Sequence, residues 1–320
     1  MRAVILEGAA VNPGDISWDP VAALCETDIY ETTDESNKMQ RIPGHEIVLT
    51  NKVIIDEAVL AACPKIRYVG VCATGYNVVD LAAAKRHGVA VTNIPAYSTD
   101  SVAQMTIGML IALASKIRTY DESVKRGDWL RAPMFCYYLD PVMELAGKTL
   151  GIYGFGHIGQ KVAQIAQAMD MQVLVCTRTP SRYASFANET LRFVDAETLF
   201  AESDAITFHC PLTGETAELI RAENIRKMKP GVLLLNLARG GLVNEADLAG
   251  ALKSGRVGGA GVDVVSVEPM REDNPLRTAP NILITPHIAW ASREARIRLV
   301  DIAGGNLKGF LEGREVNRIC

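Results

Sequence analysis

TLGIYGFGHIGQKVAQIAQAM, residues 149–169, joins a strand, a glycine-rich turn and a helix in one uninterrupted segment. In the turn, Gly154 permits a tight bend, Gly156 lets the backbone approach a pyrophosphate, and Gly159 allows the helix to pack closely on the strand. The free N–H groups of the first helical turn then face the phosphates. The glycine spacing alone is a weak signal, but in this frame it predicts a dinucleotide-binding α/β domain.

The end of the next predicted strand, QVLVCT at 172–177, bears on the choice of dinucleotide. NAD-specific proteins place an acidic residue there to accept hydrogen bonds from the adenosine ribose. Here the chain reads CTRTPSR at 176–182, which contains two arginines and no carboxylate. Because arginine attracts a 2′-phosphate, this end favours NADP over NAD. The alternative is that Arg178 and Arg182 are solvated and that NAD binds without the acidic contact.

Short apolar strands alternate with helical segments along most of the chain. Strands are predicted at 66–72, 89–93, 149–154, 172–177, 205–210, 232–238, 259–265 and 281–286. Helices are predicted at 79–87, 160–169, 196–201, 224–228, 245–253 and 292–311, and a longer helical region runs from 101 to about 125. This alternation predicts parallel sheets that are covered by helices on both faces.

The length of 320 residues predicts two domains, at about 150 residues per domain. The predicted fold class is α/β, with two doubly wound parallel-sheet domains. We expect a flavodoxin-like domain over 1–100 and 290–320, made discontinuous by the return of the last helix. A Rossmann domain is expected over 101–289, with a cleft between the two domains.

Composition excludes several classes of function. Lysine and arginine number 33 against 37 aspartates and glutamates, which argues against nucleic-acid binding as the main activity. The seven cysteines are scattered without a Cys-x-x-Cys pair, so we expect reduced thiols and no metal site. The apolar start is shorter than a signal peptide, and the apolar stretch 101–115 is shorter than the roughly 20 residues that span a bilayer. We therefore expect a cytoplasmic protein without a membrane partner.

Only five histidines are available for acid–base chemistry. His287 follows NILITP at the carboxyl end of the last predicted strand, where α/β sheets place their ligands. His45 lies in a turn, His87 ends a surface helix, His157 lies in the glycine turn, and His209 closes a strand. His287 is the best candidate, and a buried structural histidine is the alternative at that position.

Two further strand ends carry charged residues. Arg239 follows the strand VLLLNLA and precedes two glycines, which can bring the backbone close to a ligand. Glu268 follows the strand GAGVDVV. A surface charge is the alternative for each residue taken singly. Together with His287 they lie at the ends of three successive strands, which predicts one shared crevice.

Five segments, in this order, resemble the D-isomer-specific 2-hydroxyacid dehydrogenase family. They are GIYGFGHIGQ (151–160), HCPLTGET (209–216), NLARGGLVNEADL (236–248), GAGVDVVSVEP (259–269) and NILITPHIAW (281–290). The similarity extends over residues 66 to about 317 and is weaker over 1–60. CATGYNVVD at 72–80 and PHIAW at 286–290 are most similar to glycerate dehydrogenases, which are also called hydroxypyruvate reductases.

The resemblance implies a reaction and its residues. Hydroxypyruvate or glyoxylate would be reduced to D-glycerate or glycolate by hydride transfer from NADP or NAD. His287 would donate the proton, with Glu268 as the carboxylate partner that orients the imidazole and favours its charged form. Arg239 would bind the carboxylate of the small anionic substrate. The backbone amides of Thr74 and Gly75 would complete that carboxylate site, and Trp290 would narrow the pocket.

The resemblance also implies the cofactor contacts and the assembly. The cofactor-binding residues would be Thr106, Gly154, Gly156, His157, Ile158, Gly159, Thr177, Arg178, Cys210, Pro211, Ala238 and Asp263. A homodimer is expected, with the apolar helix at 101–118 as a plausible interface element.

The sequence departs from the usual family pattern at two positions, and three alternative functions remain open. The usual acidic residue is absent at Thr177, and Leu237 replaces a commonly small or polar residue. A reductase of another 2-keto acid and a phosphonate dehydrogenase would use the same Arg, Glu and His. A nucleotide-sensing corepressor would share the fold, but no disordered flank that recruits partners is evident.

Overall fold

Two parallel β-sheets organise the chain, and each belongs to its own unit. The computed structural model describes residues 1–320. Unit 1 comprises Met1–Ser98 and Trp290–Cys320, and unit 2 comprises Thr99–Ala289. Unit 1 is therefore built from two separate stretches of sequence.

Unit 1 is a five-stranded sheet with short helices between the strands. The strands are β1 (Arg2–Ile5), β2 (Glu26–Ile29), β3 (Ile47–Thr50), β4 (Tyr68–Val71) and β5 (Ala90–Thr92). The helices are α1 (Gly8–Val11), α2 (Asp19–Ala22), α3 (Lys38–Arg41), α4 (Glu57–Ala62) and α5 (Leu81–Arg86). All neighbouring strands are parallel and lie in the order β2-β1-β3-β4-β5, which is the flavodoxin-like arrangement.

The two faces of this sheet carry separate apolar layers, because successive strand residues point to opposite faces. Ile47 and Leu49 of β3 belong to one layer, and Val48 belongs to the other. Every residue of β3 and β4 is buried, as is typical of parallel strands that are covered on both sides.

Unit 2 is a seven-stranded parallel sheet. The strands are β6 (Thr149–Tyr153), β7 (Gln172–Cys176), β8 (Leu191–Phe193), β9 (Ala205–Phe208), β10 (Val232–Asn236), β11 (Val257–Val262) and β12 (Ile282–Ile284). The helices are α6 (Thr99–Ala114), α7 (Ile117–Lys125), α8 (His157–Ala168), α9 (Ala196–Glu202), α10 (Ala222–Lys227) and α11 (Glu245–Lys253). Four 3-10 helices lie at Trp129–Arg131, Pro180–Phe186, Gly240–Leu242 and Pro275–Thr278.

The strand order of unit 2 is β12-β11-β10-β9-β6-β7-β8. After β6, the chain adds β7 and β8 on one side of it and then β9 to β12 on the other side. Two βαβ halves therefore extend outward from the point between β6 and β9. Dinucleotides bind at such a switch point, outside the carboxyl ends of the strands. The glycine turn after β6 lies directly at it.

The last helix, α12 (Arg293–Leu311), belongs to unit 1. Leu299 and Leu307 of this helix are fully buried in one apolar layer of the five-stranded sheet. The buried guanidinium of Arg296 donates two hydrogen bonds to the carboxylate of Asp15, at 2.6 and 2.7 Å. These contacts fix the helix on unit 1.

The predicted fold class, two doubly wound parallel sheets with helices, is confirmed. The sequence patterns did not predict β1, β2, β3 or β8, which are only three or four residues long. Strands of that length carry only a weak periodic pattern, so some of them escape prediction.

Two helix predictions differ from the structure. The helical region predicted from 101 to about 125 consists of two helices, because α6 and α7 are separated at Lys116, which has a left-handed backbone with φ of 53°. Such a residue ends the helical hydrogen-bond series. Helix α8 begins at His157, three residues before the predicted start, with Gly156 as its N-cap.

None of the helices combines the length and the apolar character that crossing a lipid bilayer requires.

Candidate active site

Three adjacent strands of unit 2 carry the predicted catalytic residues at their carboxyl ends. Strand β11 lies between β10 and β12, with Val262 opposite both Asn236 and Ile284. Arg239 follows β10, Glu268 follows β11 and His287 follows β12. The fold therefore brings the loops that carry these residues to one edge of one sheet.

Glu268 and His287 form a hydrogen-bonded pair. Glu268 Oε2 lies 2.7 Å from His287 Nδ1, and the two side chains are 34% and 29% exposed. An ionised carboxylate only accepts, so Nδ1 carries a proton in this contact. The other ring nitrogen, Nε2, has no partner in the chain, which leaves it available to a ligand.

The loop that carries His287 is held by the buried carboxylate of Asp263, which is 2% exposed. It accepts hydrogen bonds from Thr285 Oγ1 at 2.6 Å and from the N–H groups of Ile288 and Ala289, both at 2.8 Å. His287 N–H donates to the Asp263 carbonyl at 2.7 Å. His287 has a left-handed φ of 56°, which the surrounding bonds maintain.

The family resemblance implied only a cofactor contact for Asp263, and the sequence patterns did not predict this role in holding the loop. A signal was present, because an acidic residue at the end of a buried strand must find hydrogen-bond donors. The sequence does not say which donors those are. Both carboxylate oxygens are already engaged within the chain.

Arg239 lies on a loop that the side chain of Asn236 holds through two hydrogen bonds. Buried Asn236 accepts from Ala238 N–H at 3.1 Å and donates to the Arg239 carbonyl at 2.9 Å. The Arg239 side chain is exposed, and its Nη1 donates to the Ala238 carbonyl at 2.7 Å. A side chain at Gly240 would collide with the Val265 carbonyl, so this loop packs directly against the segment that leads to Glu268.

The glycine turn has the shape of a phosphate cradle. Gly154 has a left-handed φ of 100°, and a Cβ there would lie 2.5 Å from the His209 carbonyl oxygen. No side chain caps α8, so the N–H groups of its first turn lack acceptors from a cap residue. Gly156, His157 and Ile158 supply this turn, and the arrangement fits a dinucleotide pyrophosphate.

The remaining predicted cofactor residues of unit 2 differ in accessibility. Cys210, Thr177 and Ala238 are partly buried, while Pro211 and Arg178 are exposed. Burial raises the pKa of the Cys210 thiol to about 11, and the positive charge of Arg178 acts in the opposite direction. Two predicted contacts from different strands, Arg178 and Cys210, are therefore within electrostatic reach of each other.

Thr106 lies inside α6, in unit 2. It is 1% exposed, and its hydroxyl donates to the Val102 carbonyl at 2.8 Å. The Thr106 hydroxyl therefore already donates its hydrogen within the helix.

The other four histidines have different surroundings. His45 and His87 pair with Asp28 and Glu57, but both precede their strands, at the amino edge of the sheet of unit 1. Burial lowers the pKa of His209 to about 3, so this imidazole stays neutral at physiological pH. His157 begins α8.

Three predicted substrate residues belong to unit 1. Thr74 and Gly75 lie in the loop after β4, where Thr74 Oγ1 donates to the Ile94 carbonyl at 2.9 Å and the Thr74 carbonyl accepts from Asn93 at 2.8 Å. The N–H groups of Thr74 and Gly75 donate to no acceptor in the chain. Trp290 packs edge-on against Tyr97, with ring centroids 6.2 Å apart.

Comparison with known proteins identifies the family. The model of the D-isomer specific 2-hydroxyacid dehydrogenase NAD binding domain matches residues 107–289. A hydroxypyruvate reductase of Blautia hydrogenotrophica is 46% identical over 320 residues, which cover 99% of each chain. The chain belongs to the D-isomer-specific 2-hydroxyacid dehydrogenase family.

Two further relatives agree with this membership. A glycerate dehydrogenase of Methylorubrum extorquens is 43% identical over 291 residues, 90% of each chain. A solved acyclic imino acid reductase in complex with NADPH and D-Arg covers 100% of each chain, with a TM-score of 0.85 and 27% identity. As a family member, this chain is an oxidoreductase that acts on the CH–OH group of 2-hydroxy acids with a nicotinamide cofactor.

Proposed function

We propose that this dehydrogenase reduces hydroxypyruvate or glyoxylate, giving D-glycerate or glycolate. The Glu268–His287 pair, at 2.7 Å and beside the Arg239 loop, carries the proposal. It offers a proton donor at the same carboxyl edge of the sheet as the Arg239 cation. Hydroxypyruvate and glyoxylate both present what this set recognises, a carboxylate adjacent to a carbonyl.

In the proposed mechanism, Arg239 binds the substrate carboxylate through its guanidinium fork and polarises the neighbouring carbonyl oxygen. His287 Nε2 gives its proton to that oxygen as the carbonyl is reduced. Glu268 stabilises the imidazolium before transfer and keeps the proton on Nδ1 afterwards. When bound, the reduced nicotinamide supplies the hydride.

Oxidation of the 2-hydroxy acid uses the same groups in reverse. His287 then accepts the hydroxyl proton at Nε2. The carboxylate of Glu268 again stabilises the positive charge that forms on the imidazole ring. We also assign Thr74 and Gly75 N–H groups to carboxylate binding, since neither has an acceptor in the chain. Trp290 is proposed to limit substrate size.

A panel of 2-keto acids tests the proposed substrate class. With NADPH and NADH followed at the absorbance of the reduced cofactor, we expect the highest kcat/KM for hydroxypyruvate or glyoxylate. A higher value for pyruvate or a bulkier keto acid would assign another substrate. Cofactor binding without turnover of any keto acid with the reduced cofactor, or of phosphite with the oxidised cofactor, would instead favour a nucleotide-sensing protein.

Substitution of the two central residues separates proton donation from substrate binding. His287→Ala should lower kcat by about 10²–10⁴-fold, the typical contribution of a general acid, with unchanged cofactor affinity. Arg239→Ala should also raise KM for the keto acid. Steady-state kinetics and a cofactor titration measure both effects. His87→Ala, which removes a carboxylate-paired histidine of unit 1, is the control and should leave kcat unchanged.

If His287→Ala retains wild-type kcat, the proton donor is another group. If Arg239→Ala changes only the cofactor affinity, its proposed contact with the keto acid is wrong.

We further propose NADP as the preferred cofactor. Arg178 and Arg182 have no ion-pair partner, and the Arg182 guanidinium lies 5.6 Å from the ring centroid of Tyr183. Both follow β7, where a 2′-phosphate would lie in this fold. Asp195 caps α9 by accepting a hydrogen bond from Thr198 N–H at 2.8 Å, so this carboxylate is already used within the chain.

Arg178→Ala tests this preference. Loss of one arginine–phosphate contact should raise KM for NADPH by about 10-fold and leave KM for NADH nearly unchanged. Arg192→Ala, at an exposed arginine paired with Glu202, is the matched control. Equal effects of Arg178→Ala on both cofactors, or a wild-type preference for NADH, would contradict the assignment.

The same proposal includes a homodimer in the cytoplasm. All seven cysteines are free, as suits a reducing compartment.

The predicted interface helix, α6, buries eight of its residues within the chain, which leaves little apolar surface on it. A stronger interface candidate is the segment 129–142, where Leu130, Phe135 and Tyr138 are 91%, 88% and 82% exposed.

The double variant Leu130→Ser, Phe135→Ser should dissociate the dimer. Light scattering should give twice the chain mass of 34.6 kDa for the wild type and the single chain mass for the variant. Ile54→Ser, at an exposed isoleucine of unit 1, should remain dimeric. A monomeric wild type would rule out the dimer, and a dimeric double variant would place its interface elsewhere.

A further inference from the structure

The segment 265–274, which carries Glu268, has no helix or strand of its own. Its position nevertheless decides whether the Glu268 carboxylate reaches His287. Within the segment, the only hydrogen bond to the Glu268 side chain is a long one of 3.3 Å from Val265 N–H to Oε1. Something outside the segment must therefore hold it.

Glu245, the first residue of α11, contacts both ends of this segment. Its Oε1 accepts from Ser266 N–H at 2.7 Å, and its Oε2 accepts from Ser266 Oγ at 2.9 Å. Oε2 also accepts from Asn274 Nδ2 at 2.9 Å. The two contact points lie on either side of Glu268, so one carboxylate closes the segment into a loop.

The contact at Asn274 is fixed in orientation. Asn274 is 9% exposed, and its Oδ1 accepts from Leu276 N–H at 2.9 Å as the cap of a 3-10 helix. The amide nitrogen must therefore face Glu245, and only an acceptor suits it there.

Helix α11 gives Glu245 a rigid base. Asn244 caps the helix by accepting from Asp247 N–H at 3.1 Å, and Leu248 and Leu252 are buried in the apolar core of unit 2. A carboxylate in the first turn of a helix is also favoured by the helix dipole. A site is held most accurately when its supports stand on such elements.

We infer that Glu245 is a positioning residue for the reaction proposed above, on which this inference rests. It does not touch the reacting atoms. It holds Ser266 and Asn274 so that Glu268 stays within hydrogen-bond distance of His287. When this clamp is weakened, Glu268 stabilises the charged imidazole less, and the protonated form that reduces the keto acid is lost at lower pH.

The test compares Glu245→Gln with Asp247→Asn. Both changes are isosteric and remove one negative charge from the first turn of α11. Glutamine at 245 turns an NH₂ group toward the donors Ser266 and Asn274, so the clamp loses an acceptor. Asp247 instead accepts from Ala222 N–H at 2.7 Å, at the start of α10, and forms no hydrogen bond or ion pair with 265–274.

We expect Glu245→Gln to lower kcat for keto-acid reduction by about 10-fold, with a smaller change in KM, because small displacements of catalytic groups cost that much or more. The high-pH limb of the kcat profile should move to lower pH. Glu268→Gln should move it in the same direction, and Glu245→Gln should cause no further movement in the Glu268→Gln background. Asp247→Asn should leave both kcat and the profile unchanged.

A second measurement does not depend on turnover. Titration of the His287 imidazole by NMR in the full chain, assigned with His287→Asn, should show a lower midpoint in Glu245→Gln than in the wild type or Asp247→Asn. Unchanged midpoints and profiles in Glu245→Gln would overturn the clamp, and so would a further shift in the Glu268→Gln background. If the wild type reduces no 2-keto acid while the midpoint still moves, the proposed reaction fails and the clamp stands.

Discussion

The buried carboxylate of Asp263 is the interaction on which the candidate site depends. It accepts three hydrogen bonds from the segment that carries His287, and its carbonyl accepts the His287 N–H group. The left-handed backbone at His287 costs about 1–2 kcal/mol, which these bonds offset. Asp263 directly follows β11, and Glu268 lies on the same loop. The end of β11 therefore holds the segment of His287 and begins the loop of Glu268, which Glu245 then secures.

Two close backbone approaches explain where the surrounding loops can lie. At Gly154 the turn after β6 meets the His209 carbonyl, and at Gly240 the Arg239 loop meets the Val265 carbonyl. Neither position has room for a side chain, so backbone atoms line the site at these two points. The protein has a formal net charge of −4, yet this edge presents Arg239 to solvent. A local cation thus suits an anionic substrate in a mildly acidic protein.

Short-range patterns predicted the fold class and the glycine turn, because strand and helix periodicities and the turn residues are local properties. They also predicted that Arg239, Glu268 and His287 end neighbouring strands, since parallel strands share an edge. The patterns missed the short strands β1, β2, β3 and β8, and they did not indicate the break between α6 and α7 at Lys116. They also missed the bonds of Asp263, whose partners lie 22 to 26 residues away along the chain.

By itself, the sequence determined that this is an α/β protein with a dinucleotide-binding turn and three charged residues at strand ends. Only the tertiary structure decided which histidine combines a carboxylate partner, a free ring nitrogen and a place at the carboxyl edge. His45 and His87 also pair with carboxylates, and His209 also follows a strand, but the first two lie at the amino edge and burial keeps the third neutral. The local pattern favoured His287 by its place after a strand, but carboxylate pairing and burial are set by residues distant in sequence, so only the folded chain shows them.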